Sequence, residues 1–459
     1  MFQKDVNFWR FLLERAGQRE DFARLWHGYL AWKLPAKVRD TVSPREGGTD
    51  LRVDPPAGGW PRLTAREKVF LNKIAAETGG HPDFRYRDYM DCSNVDFRET
   101  VNLQGLTLIG CNFSNATFPK EVHCDDKTRF AGRTCFSSVT FFGDVSFSHT
   151  QCCGPVYFDG TRFEGKVRFL SVEFRGGANF EGAVFKHTAH FGKSRFEEAW
   201  FPGKILVREL ANFKGATFMG HTSFQRVVFG SDPSMFRTKG LPFRRADFSN
   251  ASFEAQTTFR GASFAGPPAF FEATLHEDTD LADVTWLDRE TKPMGIDYAV
   301  RAWERLELMM SKLEKPLDRH RFFRFKMRAQ SRQSGPFLRS MNWVFDKTAG
   351  YGWEVKRACL SWAIHWIAFG ALLATNAHVA QGLGLRWETV VSAVAVSFAN
   401  AHSFLFLTVD GGYLSAYLKL IEGNDAWSLV PVVGTVQAVL GPILLFLMLL
   451  TIRNRFRLA

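Results

Sequence analysis

Phenylalanine recurs along the middle of this chain in alternating steps of five and six residues, and that rhythm constrains the fold more than any other feature. Phe158, Phe163, Phe169, Phe174, Phe180, Phe185, Phe191 and Phe196 keep a strict 11-residue period, and Phe130, Phe136, Phe141, Phe147 and Cys152 extend it backward without a slip. It returns at Phe213, Phe218, Phe224 and Phe229, then at Phe248, Phe253, Phe259, Phe264, Phe270, Leu275, Leu281 and Trp286. Of the 46 phenylalanines, 29 lie between Phe97 and Phe271. Two residues before many of these centres stands alanine: Ala178, Ala183, Ala189, Ala211, Ala216, Ala246, Ala251, Ala262 and Ala273, with Thr or Val at several others. A helix repeats at about 3.6 residues and a strand at about 2.0, so neither produces this pattern. A coil with short sides and a corner per repeat does: each ring points inward and stacks on its equivalent in the next coil, and the small residue fills the space beside it.

This pattern resembles the pentapeptide-repeat family, whose unit is a central Leu or Phe with a small residue two positions earlier; Leu103, Leu108, Phe113 and Phe118 keep the pure step of five. The resemblance implies an all-β, right-handed quadrilateral β-helix, one repeat per side. The alternating step adds one residue at every second corner, or about 22 residues per coil. From Cys92 to Trp286 the pattern then predicts roughly nine coils, stacked over a length on the order of 40 Å. The gaps at 119 to 129, 201 to 210 and 230 to 243 read as loops. The family's best-known role is mimicry of duplex DNA, which needs an acidic surface. This chain carries a net charge of +11, and Arg162, Lys166, Arg168, Lys186 and Arg195 lie within its repeats, so the mimicry role is disfavoured.

The sequence divides into four regions. Residues 1 to 90 read as a helical cytosolic segment, with Phe8, Phe11, Leu12, Phe22, Leu25, Trp26 and Tyr29 at roughly helical spacing. Thr64 and Glu67 make a capping box there, and Gly79 with Gly80 supplies a stop. Residues 91 to 287 are the β-helix, 288 to 355 a basic helical linker, and 356 to 459 a membrane domain. Seven cysteines without a C-x-x-C motif, in a chain whose first residues lack an apolar signal core, point to small core residues in a reducing compartment and disfavour a metal site.

Between Arg319 and Arg339 stand seven basic residues and no acid. Arg319, Arg321, Arg324, Lys326, Arg328 and Arg332 are interleaved with Phe322, Phe323 and Phe325. With long uncharged stretches close behind them, they fit anionic lipid headgroups of an inner leaflet better than nucleic acid. Ala358 to Leu385 and Leu429 to Ile452 contain no charged residue, and spans are placed at about 358 to 378 and 429 to 452. Thr389 to Val409 is also uncharged but holds Ser392, Ser397, Asn400, His402 and Ser403. Lys356 and Arg357 precede the first span and Arg453, Arg455 and Arg457 come after the last, so the positive-inside rule puts both termini in the cytoplasm. Two crossings satisfy that parity and three do not. The middle stretch, about 389 to 409, is therefore read as re-entrant.

Span, re-entrant helix, span resembles the plan of two-transmembrane pore-loop channels, and the whole layout resembles bacterial inner-membrane proteins that join pentapeptide repeats to two C-terminal spans. The potassium filter motif is scrambled here as Thr408, Val409, Asp410, Gly411, Gly412 and Tyr413. Asn400, His402, Ser403 and Asp410 are the pore and selectivity candidates. Gly434, Gln437, Ala438 and Gly441 are helix-packing candidates, and Pro442 is a candidate hinge. A homo-oligomer is expected, a tetramer if it is a pore-loop channel, and a cytosolic protein or small ligand is a candidate partner of the β-helix. No phosphate loop, zinc-protease motif, nucleophile elbow or EF-hand occurs, and no two of the 12 histidines stand four apart, so neither an enzyme nor a cofactor is expected. The reading is an oligomeric pore or channel-like membrane protein with a sensing β-helix, the alternative a membrane-anchored scaffold that binds a protein without conducting ions.

Overall fold

The computed structural model describes residues 7–19, 21–33, 60–82, 90–125, 127–203, 206–207, 210–230, 246–286, 295–381, 387–402 and 429–457. It divides into two compact units, residues 1–309 and 310–459.

In the first unit the ring pattern becomes a β-solenoid. Among the described residues, thirty two-residue strands assemble into four parallel sheets of eight, seven, seven and eight strands, and each strand pairs with the equivalent one a coil away. Most coil steps are 22 residues, as when Val156 pairs with Ala178 (156 to 178), whereas Ala178 lies in register with Ala199, one residue sooner. Rings stack directly over one another: Phe113 on Phe136 at 5.1 Å and 1°, Phe158 on Phe180 at 4.9 Å, Phe180 on Phe201 at 4.8 Å and 2°. These separations match the spacing of neighbouring strands, about 4.8 Å, so backbone hydrogen bonding and ring stacking share one repeat. Ladders within a coil meet edge to face, as Phe158 does with Phe169 at 5.4 Å.

The alternation of five and six has a local cause. A five-residue corner turns through a left-handed residue two after its centre: Ser138, Gly160 and Gly182 follow Phe136, Phe158 and Phe180 at φ of 57°, 64° and 65°. Six-residue corners instead place glycine two after the centre, at Gly132, Gly154 and Gly176, pressed on the coil before. A Cβ on Gly154 would stand 2.6 Å from the carbonyl carbon of Gly132, and one on Gly176 would stand 2.3 Å from that of Gly154. The small residues beside the centres are buried, Ala178 and Ala183 completely. Where threonine replaces alanine its hydroxyl is used: Thr161 Oγ1 donates to the Phe136 carbonyl at 2.6 Å, satisfying a buried polar group.

The solenoid has about eight turns, not nine, because one step is longer. Ala211 pairs with Ala246, a step of 35 residues (211 to 246), and the surplus lies between Phe229 and Ala246, largely outside the described residues. The expected loop at 230 to 243 falls there. The other two expected loops are corrected: Cys124 follows the strand Val122–His123, and Val207 ends the strand Leu206–Val207 and is 3% exposed, so both occupy ordinary centres. A centre needs only an apolar group that fits, and a search for phenylalanine passes over Cys and Val. Cys92, Cys124 and Cys152 are inward-facing, and burial pushes their thiols well up from the ordinary range.

Helices close both ends of the solenoid, where strand edges would otherwise be bare. At the first end are α1 (Phe8–Ala16), α2 (Phe22–Lys33) and α3 (Ala65–Glu77). Asn7 caps α1 and donates through Nδ2 to the Asp91 carbonyl at 3.0 Å, and Trp26 Nε1 donates to the Thr107 carbonyl at 3.2 Å. The expected capping box of Thr64 and Glu67 starts α3. At the other end, α4 (Gly295–Lys312) buries Tyr298 and Ala302 against Ala269 and sets Trp303 edge-on to Trp286 at 6.2 Å.

The second unit is helical: α5 (Pro316–Gln333), α6 (Pro336–Ala349), α7 (Val355–Gln381), α8 (Trp387–Ala401) and α9 (Leu429–Arg457). Val355–Asn376 and Val432–Asn454 are long and apolar enough to cross a membrane, with mean hydropathies of 1.5 and 2.2.

Candidate functional site

Several of the sequence candidates in residues 356 to 459 meet at α8. Its described residues number 15, which at about 1.5 Å each gives roughly 22 Å against the roughly 30 Å of a bilayer core. It packs on both long helices. Ala393 and Val396 share a buried cluster with Leu373 and Ala374 of α7 and Val433 of α9. Small residues permit the approach: a Cβ on Gly370 would stand 2.9 Å from Val394 Cγ2, and one on Gly441 only 2.1 Å from the Ala401 carbonyl oxygen.

Polar groups line the same contact. Ser397 Oγ donates to the Trp366 carbonyl at 2.6 Å and accepts from Gln437 Nε2 at 2.6 Å. Gln437 is fully buried, and its Oε1, like His365 Nε2 and Trp366 Nε1, is a buried polar atom without a hydrogen-bond partner. His402 is 3% exposed. Its Nε2 accepts from Trp362 Nε1 at 3.1 Å while its Nδ1 lies 2.7 Å from the Phe398 carbonyl, an arrangement that a neutral ring protonated on Nδ1 satisfies completely. Asn400 is half-buried and lies beside Gly434. Thus Gly434, Gln437 and Gly441 all meet α8, whereas Ala438 is exposed on α9 and Pro442 lies within that helix. Ser403 and Asp410 lie outside the described residues. Sequence reading missed Trp362, His365 and Trp366 as partners of this cluster; their signal was three ring-bearing polar groups at positions 362, 365 and 366 of an otherwise uncharged span.

The basic helix α5 forms a second constellation. Arg324 Nη2 donates to Asp346 Oδ1 at 3.1 Å and the same guanidinium pairs with Glu354. Arg328 grips Asp346 with Nε at 2.9 Å and Nη2 at 3.2 Å. His320 Nε2 lies 3.0 Å from the Gly350 carbonyl, and its ring stacks on Trp353 at 4.8 Å. Burial, opposed by the Gly350 hydrogen bond, lowers the His320 pKa to about 4. Of the other headgroup candidates, Arg319 and Arg321 are exposed, with Arg321 3.6 Å from Asp318. Lys326 Nζ lies over the Phe323 ring at 5.3 Å, and Arg332 is half-buried, its carbonyl accepting from Arg339 at 2.8 Å.

On the solenoid, a groove of about 390 Å³ is lined by Pro155, Tyr157, Gly177, Asn179, Glu181 and Trp200 among others. Tyr157, Asn179 and Trp200 are in register on successive coils, and the Arg133 guanidinium sits 4.9 Å over the Tyr157 ring.

Parallel two-residue strands wound around stacked rings define a β-solenoid repeat protein, joined here to two helices of membrane-spanning length. A family model described as pentapeptide repeats (9 copies) matches residues 158–203, a stretch that lies within the solenoid. No curated protein and no solved structure matches the chain.

Proposed function

We propose that the protein is a non-enzymatic, oligomeric inner-membrane pore or channel-like protein of bacterial type. Its pentapeptide-repeat solenoid is the cytosolic sensing or interaction domain, and α8 is a re-entrant helix between two spans. The observation that carries this reading is the polar side of α8 from Ser397 to His402, held by Gln437 of α9, in a helix whose described part is only 15 residues long. Intramembrane polar groups are costly unless they serve a path or a partner. Because His402 and Ser397 are engaged inside the bundle, the conducting axis in this reading lies between subunits, four of them if the pore-loop plan holds. Asp410 is the selectivity candidate that the sequence supplies to this reading. The basic residues flanking the spans support cytoplasmic termini.

The test is single-channel recording of the purified protein in planar bilayers. Cation currents that Asp410→Asn reduces are expected. Silence under all ionic conditions, together with a lipid-exposed label at Asn400, would overturn the reading. The second reading, a membrane-anchored scaffold, is favoured by the aromatic groove at Tyr157 and Trp200, which suits an extended peptide. It predicts a silent bilayer and a partner whose capture is lost in Trp200→Ala.

A further inference from the structure

Helix α6 is built inside out for a protein surrounded by water. Its acid, Asp346, is buried against α5 and holds Arg324 and Arg328, while most of its large apolar side chains face outward. Phe337 is 73% exposed, Met341 55% and Val344 44%, and these three, spaced four and three apart, share one stripe of the helix. Leu338 at 55% and Trp343 at 63% flank it. A contiguous apolar face of this kind on a folded unit marks a surface that something apolar covers.

The surroundings of α6 identify the cover. Gly350, in the left-handed conformation, ends the helix, and α7 begins at Val355, so the stripe stops one short turn from the first span. Asn454, near the end of α9, donates through Nδ2 to the Gly352 carbonyl at 3.2 Å. That bond puts the start of one span and the end of the other at a single level. Lys356, Arg357 and Arg453 are exposed there, as basic residues are where a span meets lipid headgroups. Large apolar side chains are exposed on these helices too: Leu360 and Ile364 of α7, by 57% and 55%, and Phe456 of α9. By contrast, two basic residues of α5, Arg324 and Arg328, have their charge matched by Asp346 and Glu354.

We propose that α6 is an interfacial helix, lying along the bilayer surface with Phe337, Met341 and Val344 in the boundary between headgroups and acyl chains. Trp343 sits at its polar margin, and Arg339 and Lys347 reach anionic headgroups. Its occupant is lipid, and α6, not α5, is the main point of contact between the juxtamembrane segment and the membrane. The inference rests on the two long helices crossing a bilayer and not on conduction.

Spin labels test it in the full chain, carrying Cys359→Ser and reconstituted in phosphatidylcholine–phosphatidylglycerol vesicles. Labels are placed singly through Phe337→Cys, Met341→Cys and Val344→Cys, with Ile364→Cys as the span reference and Arg195→Cys as the aqueous one. All five sites are at least partly exposed, and circular dichroism checks that each variant folds. Power saturation is expected to give the three α6 labels an oxygen-to-nickel-chelate accessibility ratio several-fold above that of Arg195→Cys and approaching that of Ile364→Cys. Aqueous ratios on α6 with lipid ratios at Ile364→Cys would overturn the interfacial helix while leaving the spans standing. Protection from both reagents would show protein in place of lipid on the stripe and overturn it equally. An aqueous ratio at Ile364→Cys would instead remove the membrane reading itself, and the interfacial helix with it.

Discussion

At the scale of the residue, the solenoid is held by rings whose stacking distance equals the strand spacing, and the cost of a lost ring is correspondingly direct. Phe180 is fully buried between Phe158 and Phe201. Phe180→Ala is expected to destabilise the solenoid by about 3–5 kcal/mol, because the coils above and below prevent collapse into the cavity; chemical denaturation of the purified protein measures it. Phe180→Leu keeps the volume closer and should cost far less. Gly176→Ala tests the other half of the corner: its Cβ would meet the Gly154 backbone at 2.3 Å, so a loss comparable to the ring deletion is expected from a single methyl group. The rings were legible in the sequence because one bulky residue type marks nearly every centre. Cys124 and Val207 were not, since they fill the same place without the mark. The glycines at 132, 154 and 176 stand in the sequence at the same period of 22, but only the approach of one backbone to the next explains them.

At the scale of the element, α5 and α6 depend on one acid. Asp346 is buried and receives both Arg324 and Arg328, so Asp346→Ala removes the acid that both guanidiniums share and is expected to cost about 1.5–3 kcal/mol. Faster hydrogen exchange across residues 316 to 349 would register it. The same clasp is pH-dependent through His320. Its folded pKa, about 4, lies below the ordinary histidine value of 6.5, so folding favours the neutral ring. The stabilisation is complete above pH 6.5 and is lost as pH falls from 6.5 toward 4. Burial is the main cause; Arg324 lowers the value further, while the Gly350 carbonyl and Glu354 raise it. Exchange over residues 316 to 354 should therefore quicken between about pH 7 and 4.5 in the native chain and change much less in His320→Gln. The basic run on α5 was plain in the sequence. Its partners were not, because Asp346 and Glu354 lie 18 to 30 positions along the chain and no local pattern announces them.

At the scale of the whole molecule, the two units follow different logics. The solenoid is a one-dimensional stack in which each coil touches only its neighbours, so whole coils are removable if phase is kept. Deleting residues 163–184, 22 in all, brings Phe185 five residues after Phe158 and is expected to leave a folded, cooperatively melting protein by circular dichroism. Deleting 163–182 shifts every later centre by two and is expected to abolish the fold. The helical unit has no such redundancy. Its two long apolar helices were legible from uncharged runs, and α8 from its polar residues. The bond from Gln437 to Ser397 depends on packing among helices distant in sequence, and no spacing foretold it. The central claim is that the membrane is crossed twice, with α8 entering and leaving on one side. Tags appended before Met1 and after Ala459 test it by protease accessibility in sealed membrane vesicles of known orientation. Two crossings predict that both tags are cut, or both protected, from the same side; one tag cut and the other protected in the same vesicles would contradict them.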